Sequence, residues 1–151
     1  MADAPQKSAL VLIDLQNDYF PGGRFELFGA PAAVAKARLV LDYARRTCLP
    51  VLHVRHEADR PGATFFLPGT PGAAIHPDVA PLPGETVVCK HFPNSFRETA
   101  LQTRLTALGV THLVVAGMLQ APRTGHKEKD NAILLAVTQP GTVCVASLRN
   151  S

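Results

Sequence analysis

An unbroken apolar run, Ala9 to Ile13, ends in an acid, Asp14, and is followed by Leu15-Gln16-Asn17-Asp18-Tyr19-Phe20 and then Pro21-Gly22-Gly23. A run that is apolar at every position, not at alternate ones, suits a strand covered on both faces of a parallel sheet. The Pro-Gly-Gly that follows is loop chemistry. In an open α/β sheet, ligands bind beyond the carboxyl ends of the strands. Asp14 stands at such an end and is therefore a site candidate. The plain alternative is a carboxylate that caps a turn.

The rest of the chain repeats this plan. Residues 31 to 47 predict a helix, with Pro31 in its first turn and Val34, Ala37, Leu41 and Ala44 on one face. Arg45 and Arg46 suit its C-terminal end, where the helix dipole favours cations. A second strand, Val51 to Val54, leads into Arg55-His56-Glu57. Residues 57 to 85 carry prolines and glycines but no long helix or strand, and Phe65, Phe66, Leu67 and Ile75 argue that this excursion is ordered. It reads equally as a stiffened surface loop or as a lid or pocket wall. A third strand, Thr86 to Cys89, ends at Lys90, a second charged residue on the same rim as Asp14, unless it snorkels to solvent. A helix over Arg97 to Leu108 follows, with Asn94 or Ser95 as its cap and Gly109 as its stop. A fourth strand, His112 to Ala116, closes the series. The alternation predicts one α/β domain over residues 1–151, a Rossmann-like doubly wound parallel sheet with helices on both faces.

Composition narrows the function. No apolar run approaches the ~20 residues that span a membrane, and the net charge of +3 comes without a basic stripe, so neither membrane nor nucleic acid is an expected partner. Three cysteines, Cys48, Cys89 and Cys144, stand at unrelated spacings. They suggest a reducing compartment and form no zinc motif. The N-terminus has no signal-peptide pattern, so a cytoplasmic location is expected.

Four segments together resemble the isochorismatase-like cysteine hydrolases. They are Val11-Leu12-Ile13-Asp14-Leu15-Gln16-Asn17-Asp18-Tyr19-Phe20, Ala63-Thr64-Phe65-Phe66-Leu67-Pro68-Gly69-Thr70-Pro71-Gly72, Lys90-His91-Phe92-Pro93-Asn94-Ser95-Phe96 and Thr111-His112-Leu113-Val114-Val115-Ala116-Gly117-Met118. The resemblance covers about residues 8 to 118. It implies a triad of Asp, Lys and Cys in which a thiolate attacks an amide or imide carbonyl. Asp14 would move the protons, and Lys90 would lower the thiol pKa and stabilise negative charge. Phe66, Asn94 and Phe96 are weaker substrate-binding candidates, with core packing or capping as their plain alternatives. Family members that bind zinc or iron use an Asp-x-His pair after the second strand. Here the region reads His53-Val54-Arg55-His56-Glu57, so no metal and no other cofactor is expected. The resemblance also implies a small-molecule substrate and a homo-oligomer.

Beyond Met118 the pattern stops. The family's nucleophilic cysteine falls about six residues past the glycine, and that position here is Arg123, after Pro122. The remaining residues hold two apolar runs, Ala132 to Val137 and Val143 to Leu148, which read as a hairpin or as a short helix and a strand. Cys144 lies too far along to take the nucleophile's place, and Cys48 and Cys89 are structural by default. So abrupt a change suggests a frame change, a truncation, a recombination joint or a genuine replacement tail.

Three functions follow as expectations. The first is amide or imide hydrolysis through an Asp-Lys-Cys type site, with the activity in doubt for want of the thiol. The second is vinyl-ether hydrolysis with Asp14 as general acid. The third is a catalytically inactive relative that binds partners or assembles.

Overall fold

The computed structural model describes residues 6–120, 131–138 and 147–148, with residues 119–120 and the two later segments as backbone alone. Strand β1 is Ser8–Ile13, helix α1 Ala30–Arg46, β2 Val51–His56, β3 Thr86–Lys90, α2 Leu101–Ala107 and β4 His112–Gln120. Two further strands are β5, Asn131–Thr138, and β6, Ser147–Leu148. The sheet order is β3-β2-β1-β4-β5-β6. The first four strands are mutually parallel, and β5 and β6 add on antiparallel.

Alternation along β1 explains why it reads as continuously apolar. Leu10 and Leu12 face α1, in a core with Ala33, Val34, Ala37 and Leu41. Ala9 and Val11 face the other way, into a core with Leu52, Val54, Leu101 and Leu105. One helix therefore covers each face, as the doubly wound expectation requires. Four alanines on the buried side of α1, at 30, 33, 37 and 44, let its backbone lie close to the sheet. Leu41 fills the space they leave and is fully buried, which stabilises the fold by about 1.5–3 kcal/mol.

Some boundaries differ from expectation, for physical reasons. Strands β2, β3 and β4 run longer than their apolar signal, because the ladder continues through His56, Lys90 and Gln120. Helix α2 begins at Leu101, not at Arg97, and neither Asn94 nor Ser95 caps it. Glu98 sits at φ +54, which interrupts a right-handed helix, and the Arg97 guanidinium lies 3.7 Å over the Phe92 ring. The Asn94 side chain instead accepts from the Phe96 N–H, closing a local turn. Gly109 does stop α2, in a left-handed conformation. Of the two late apolar runs, the described parts are extended and paired, which fits the hairpin alternative and not the helix.

The excursion over 57–85 is packed against the loop that leaves β1. It contains two short 3₁₀ turns, Pro71–Ala73 and Pro77–Val79, and it buries Phe66, Ala73 and Val79. Asn17 takes the Ala74 carbonyl with its backbone N–H and the Pro71 carbonyl with its side chain. The excursion is thus an ordered segment anchored on the β1 exit loop.

Candidate active site

The carboxyl ends of β1 and β3 place Asp14 and Lys90 together. Asp14 Oδ2 lies 3.1 Å from Lys90 Nζ, and both side chains are buried. β2 stands between these two strands, so the lysine reaches across it. Register aligns Lys90 with His56, the last residue of β2. The ammonium lies 3.3 Å from His56 Nδ1 and donates to the carbonyls of Phe92 and Pro93 at 3.3 and 3.5 Å.

Asp14 is held in an uncommon way. Its φ is +58, a left-handed conformation that Asp tolerates better than most residues. Its N–H donates to the Val54 carbonyl, which fixes the turn off β1. Oδ2 meets the lysine, but Oδ1 is buried with no hydrogen-bond partner among the described residues. Burial pushes the carboxyl above its usual range, and the Lys90 charge only partly offsets this. Burial first and then the Asp14 charge hold the Tyr19 phenol well above its usual value. His56 is driven the other way. Burial, then the Lys90 ammonium, lower it to about 4, so its imidazole is neutral at neutral pH.

Three residues of the β1 exit loop build the surroundings. The Gln16 amide is wholly buried; it donates to the carbonyls of His56 and Ala73 and accepts from the His56 N–H. Asp18 accepts from the N–H groups of Arg24 and Phe66. Gly72 packs so closely on that carboxylate that a Cβ there would overlap it. Tyr19 packs edge-on against Phe66 at 4.7 Å, with Phe65 and Phe25 stacked beside them.

The predicted residues therefore divide. Asp14 and Lys90 are in contact. Phe66 is buried beside Tyr19 and lies 6.0 Å from the His56 ring, at φ +54 and pinned by Asp18. Asn94 and Phe96 lie on the exposed turn after Lys90. Gln16, Asp18, Tyr19 and His56 were not foreseen as site residues. The signal available was a polar Gln-Asn-Asp cluster directly after a buried strand. Arg123 and Cys144 lie outside the described residues. Cys89 neighbours Lys90 but points to the opposite side of its strand. Burial and then the nearby Glu57 charge raise its thiol pKa. Cys48 is exposed just before β2, at the amino-end rim.

His53, the other histidine of β2, meets a different partner. It is buried on β2 and sits 2.9 Å from Glu85, which also takes a two-pronged contact from Arg45 at 2.8 and 3.0 Å. Among the described residues, no group of three or more His, Cys, Asp or Glu side chains is arranged to hold a metal ion.

A buried Asp–Lys pair thus stands at the carboxyl rim of a doubly wound α/β sheet. The chain belongs to the isochorismatase family: the model of the isochorismatase domain matches residues 8–120. It is 46% identical over 112 residues to the uncharacterized isochorismatase family protein YddQ of Bacillus subtilis, a match covering 74% of this chain and 62% of that protein. Among solved structures it resembles an isochorismatase hydrolase from Oleispira antarctica, with 44% identity, a TM-score of 0.72, and coverage of 80% of this chain and 65% of the other. It also resembles N-carbamoylsarcosine amidase from Thermoplasma acidophilum, with 31% identity, a TM-score of 0.69, and coverage of 74% and 68%. The chain thus spans under two thirds of the length of its curated relative.

Proposed function

We propose that Asp14 and Lys90 are the acid–base and charge-stabilising parts of a centre for hydrolysing a small-molecule amide or imide C–N bond, a centre that lacks its nucleophile at the family position. The observation that carries this reading is Asp14 itself, a buried carboxyl with a raised pKa, one oxygen on a lysine and the other without a partner among the described residues. Such a group can accept a proton and return it. In the proposed reaction a thiol gives its proton to Asp14 and its sulfur bonds to the carbonyl carbon. The C–N bond then breaks, the leaving nitrogen takes the proton, and water clears the thioester with Asp14 again as base. Lys90 offsets the negative charge that develops.

The thiol is missing from the family's position. Arginine stands at position 123, where the family pattern calls for cysteine, and neither Cys48 nor Cys89 is placed to serve. Little amide turnover is therefore expected from the chain as it is. A second reading, vinyl-ether cleavage, is favoured by the raised Asp14 pKa, since it needs only a general acid. Asp14 would protonate the double bond, water would add to the resulting cation, and the C–O bond would break.

One experiment separates these readings. Ammonia release from N-carbamoyl compounds is measured for the chain, an Arg123→Cys variant, and that variant with Asp14→Asn. Consumption of isochorismate is measured in parallel. Amide turnover that appears with the cysteine and disappears with Asp14→Asn supports the first reading. Vinyl-ether turnover without the cysteine, lost in Asp14→Asn, supports the second. No turnover in any form overturns both and leaves a binding role. A homo-oligomer in the cytoplasm belongs to the same proposal, on the family resemblance and the free thiols, and light scattering of the purified chain tests the oligomer.

A further inference from the structure

Lys90 has three N–H bonds to place, and its surroundings offer four acceptors. Asp14 Oδ2 takes one. The carbonyls of Phe92 and Pro93, adjacent in sequence, share another. The third lies toward His56 Nδ1 at 3.3 Å. An ammonium cannot accept, so that ring nitrogen must present a lone pair, with the ring proton on Nε2.

His56 is itself fixed from behind. Its backbone N–H donates to Gln16 Oε1 at 2.7 Å, and its carbonyl accepts from Gln16 Nε2 at 2.8 Å. Gln16 Nε2 also donates to the Ala73 carbonyl. These partners determine the amide's orientation, because a flip would set its NH₂ against an N–H and its oxygen against two carbonyls. β1 ends at Ile13, and beyond it the Gln16 side chain does for β2 what a further peptide group of β1 would do. The excursion carrying Ala73 and the strand carrying His56 are thereby tied at one point.

We propose that His56, locked by the Gln16 amide, is a positioning residue for Lys90: its Nδ1 lone pair holds one ammonium proton and so aims the remaining charge at Asp14. This rests on Asp14 and Lys90 being the reactive pair, and it deepens that reading by adding a residue with a defined tautomer. His56 faces Lys90 and His91 from β3 and its exit, with Arg60 and Asp59 from the following loop. Three of these groups oppose its protonation and one favours it. Burial adds to the opposition. Acid that protonated His56 would turn the acceptor into a donor and push the lysine out of line, setting a lower pH limit on the site.

The test reads His56 directly, without turnover. Long-range proton–nitrogen NMR of the ¹⁵N-labelled chain, assigned by the loss of one imidazole in His56→Asn, gives its tautomer and its titration. The expected result is the neutral Nε2–H form at pH 7, protonating only near pH 4, with the midpoint rising in Lys90→Met. A second measurement follows acylation of Lys90 by acetic anhydride, read by mass spectrometry. His56→Leu should speed it about tenfold, the equivalent of one lost charge-assisted hydrogen bond, and His56→Asn, which keeps an acceptor, should restore protection. An Nδ1–H tautomer in the unsubstituted chain overturns the proposal, as does equal acylation in His56→Leu and the unsubstituted chain. If either substituted form does not fold, the tautomer of the unsubstituted chain still decides. A normal result here beside turnover indifferent to Asp14→Asn would sink the hydrolase reading alone.

Discussion

Asp14 and Glu85 each face a cation, one at the carboxyl-end rim of the sheet and the other at the amino-end rim. Glu85 accepts from Arg45 twice, from the Leu82 N–H and from His53, so both oxygens are used. Burial alone would raise its pKa, but these donors overrule it and bring the carboxyl down to about 2. Asp14 has one cation, one oxygen without a partner among the described residues, and a left-handed backbone. Burial wins there and the pKa rises. Both groups are carboxyls paired with a basic side chain. The number of donors decides whether the carboxylate is a fixed structural anion or one that can exchange a proton.

The largest expected difference lies in turnover. Measured on the Arg123→Cys form, Asp14→Asn should lower the rate by about 10²–10⁴, the usual contribution of a proton-transfer group. Glu85→Gln should leave it within about threefold. Comparable losses from both would mean that the amino-end rim takes part in the chemistry, and the contrast between them would be gone.

Next in size is the removal of a cation. Lys90→Met strands a buried carboxylate, and the expected loss is about 3 kcal/mol of unfolding free energy at pH 7. The loss should shrink as the pH falls, because protonating Asp14 removes the uncompensated charge. Urea unfolding at pH 7 and pH 5 reads both parts of the prediction. An equal loss at the two pH values would show that packing of the lysine stem, not its charge, carries the effect.

Of this contrast only the Asp14 rim was legible in the sequence, and the part that was not has a clear cause. Asp14 and Lys90 were readable because each ends a run whose apolar pattern stops at one residue, and a parallel sheet brings such ends to one rim. The helix over 31–47 was readable from Val34, Ala37, Leu41 and Ala44, which do face the core. Gln16, Asp18 and His56 were not, because their work is done by side chains on backbone groups far along the chain, which leaves no periodic trace. Phe66, readable as a weaker substrate-binding candidate or as core packing, is held buried beside Tyr19 by the Asp18 carboxylate. The start of α2 was misplaced because Glu98 takes a left-handed turn that its residue type does not announce. His53 and His56 looked alike as strand histidines. Only the fold sends one to Glu85 and the other to Lys90.

Glu85 offers a smaller and more specific effect of pH. A carboxyl whose folded pKa lies below its unfolded value stabilises the fold above the unfolded pKa. That contribution is lost as the pH falls through the folded one. For Glu85 the window runs from about 4.5 down to about 2, and the contribution at neutral pH is about 2–3 kcal/mol. Glu85→Gln should lose this at pH 7 and match the unsubstituted chain near pH 2. Unfolding curves for both chains across that range should converge. Curves that stay parallel would show that Arg45 and His53 hold the amide as well as the acid, and that Glu85 acts through shape alone.

The smallest effect supplies the control for both rims. Arg38 and Asp42 on α1 are spaced one helical turn apart, with their ion pair at 2.8 Å, shorter than the Asp14–Lys90 contact. Both side chains are more than a third exposed, so water screens the pair and solvates either partner when the other is removed. Asp42→Ala should therefore cost no more than about 0.5 kcal/mol, falling further in high salt. Arg38 also keeps its bond to the Asp78 carbonyl, which leaves the guanidinium anchored. If Asp42→Ala cost as much as Lys90→Met, distance and not burial would govern these pairs. The difference between the two rims would then need a cause other than the number of donors each carboxylate finds out of reach of water.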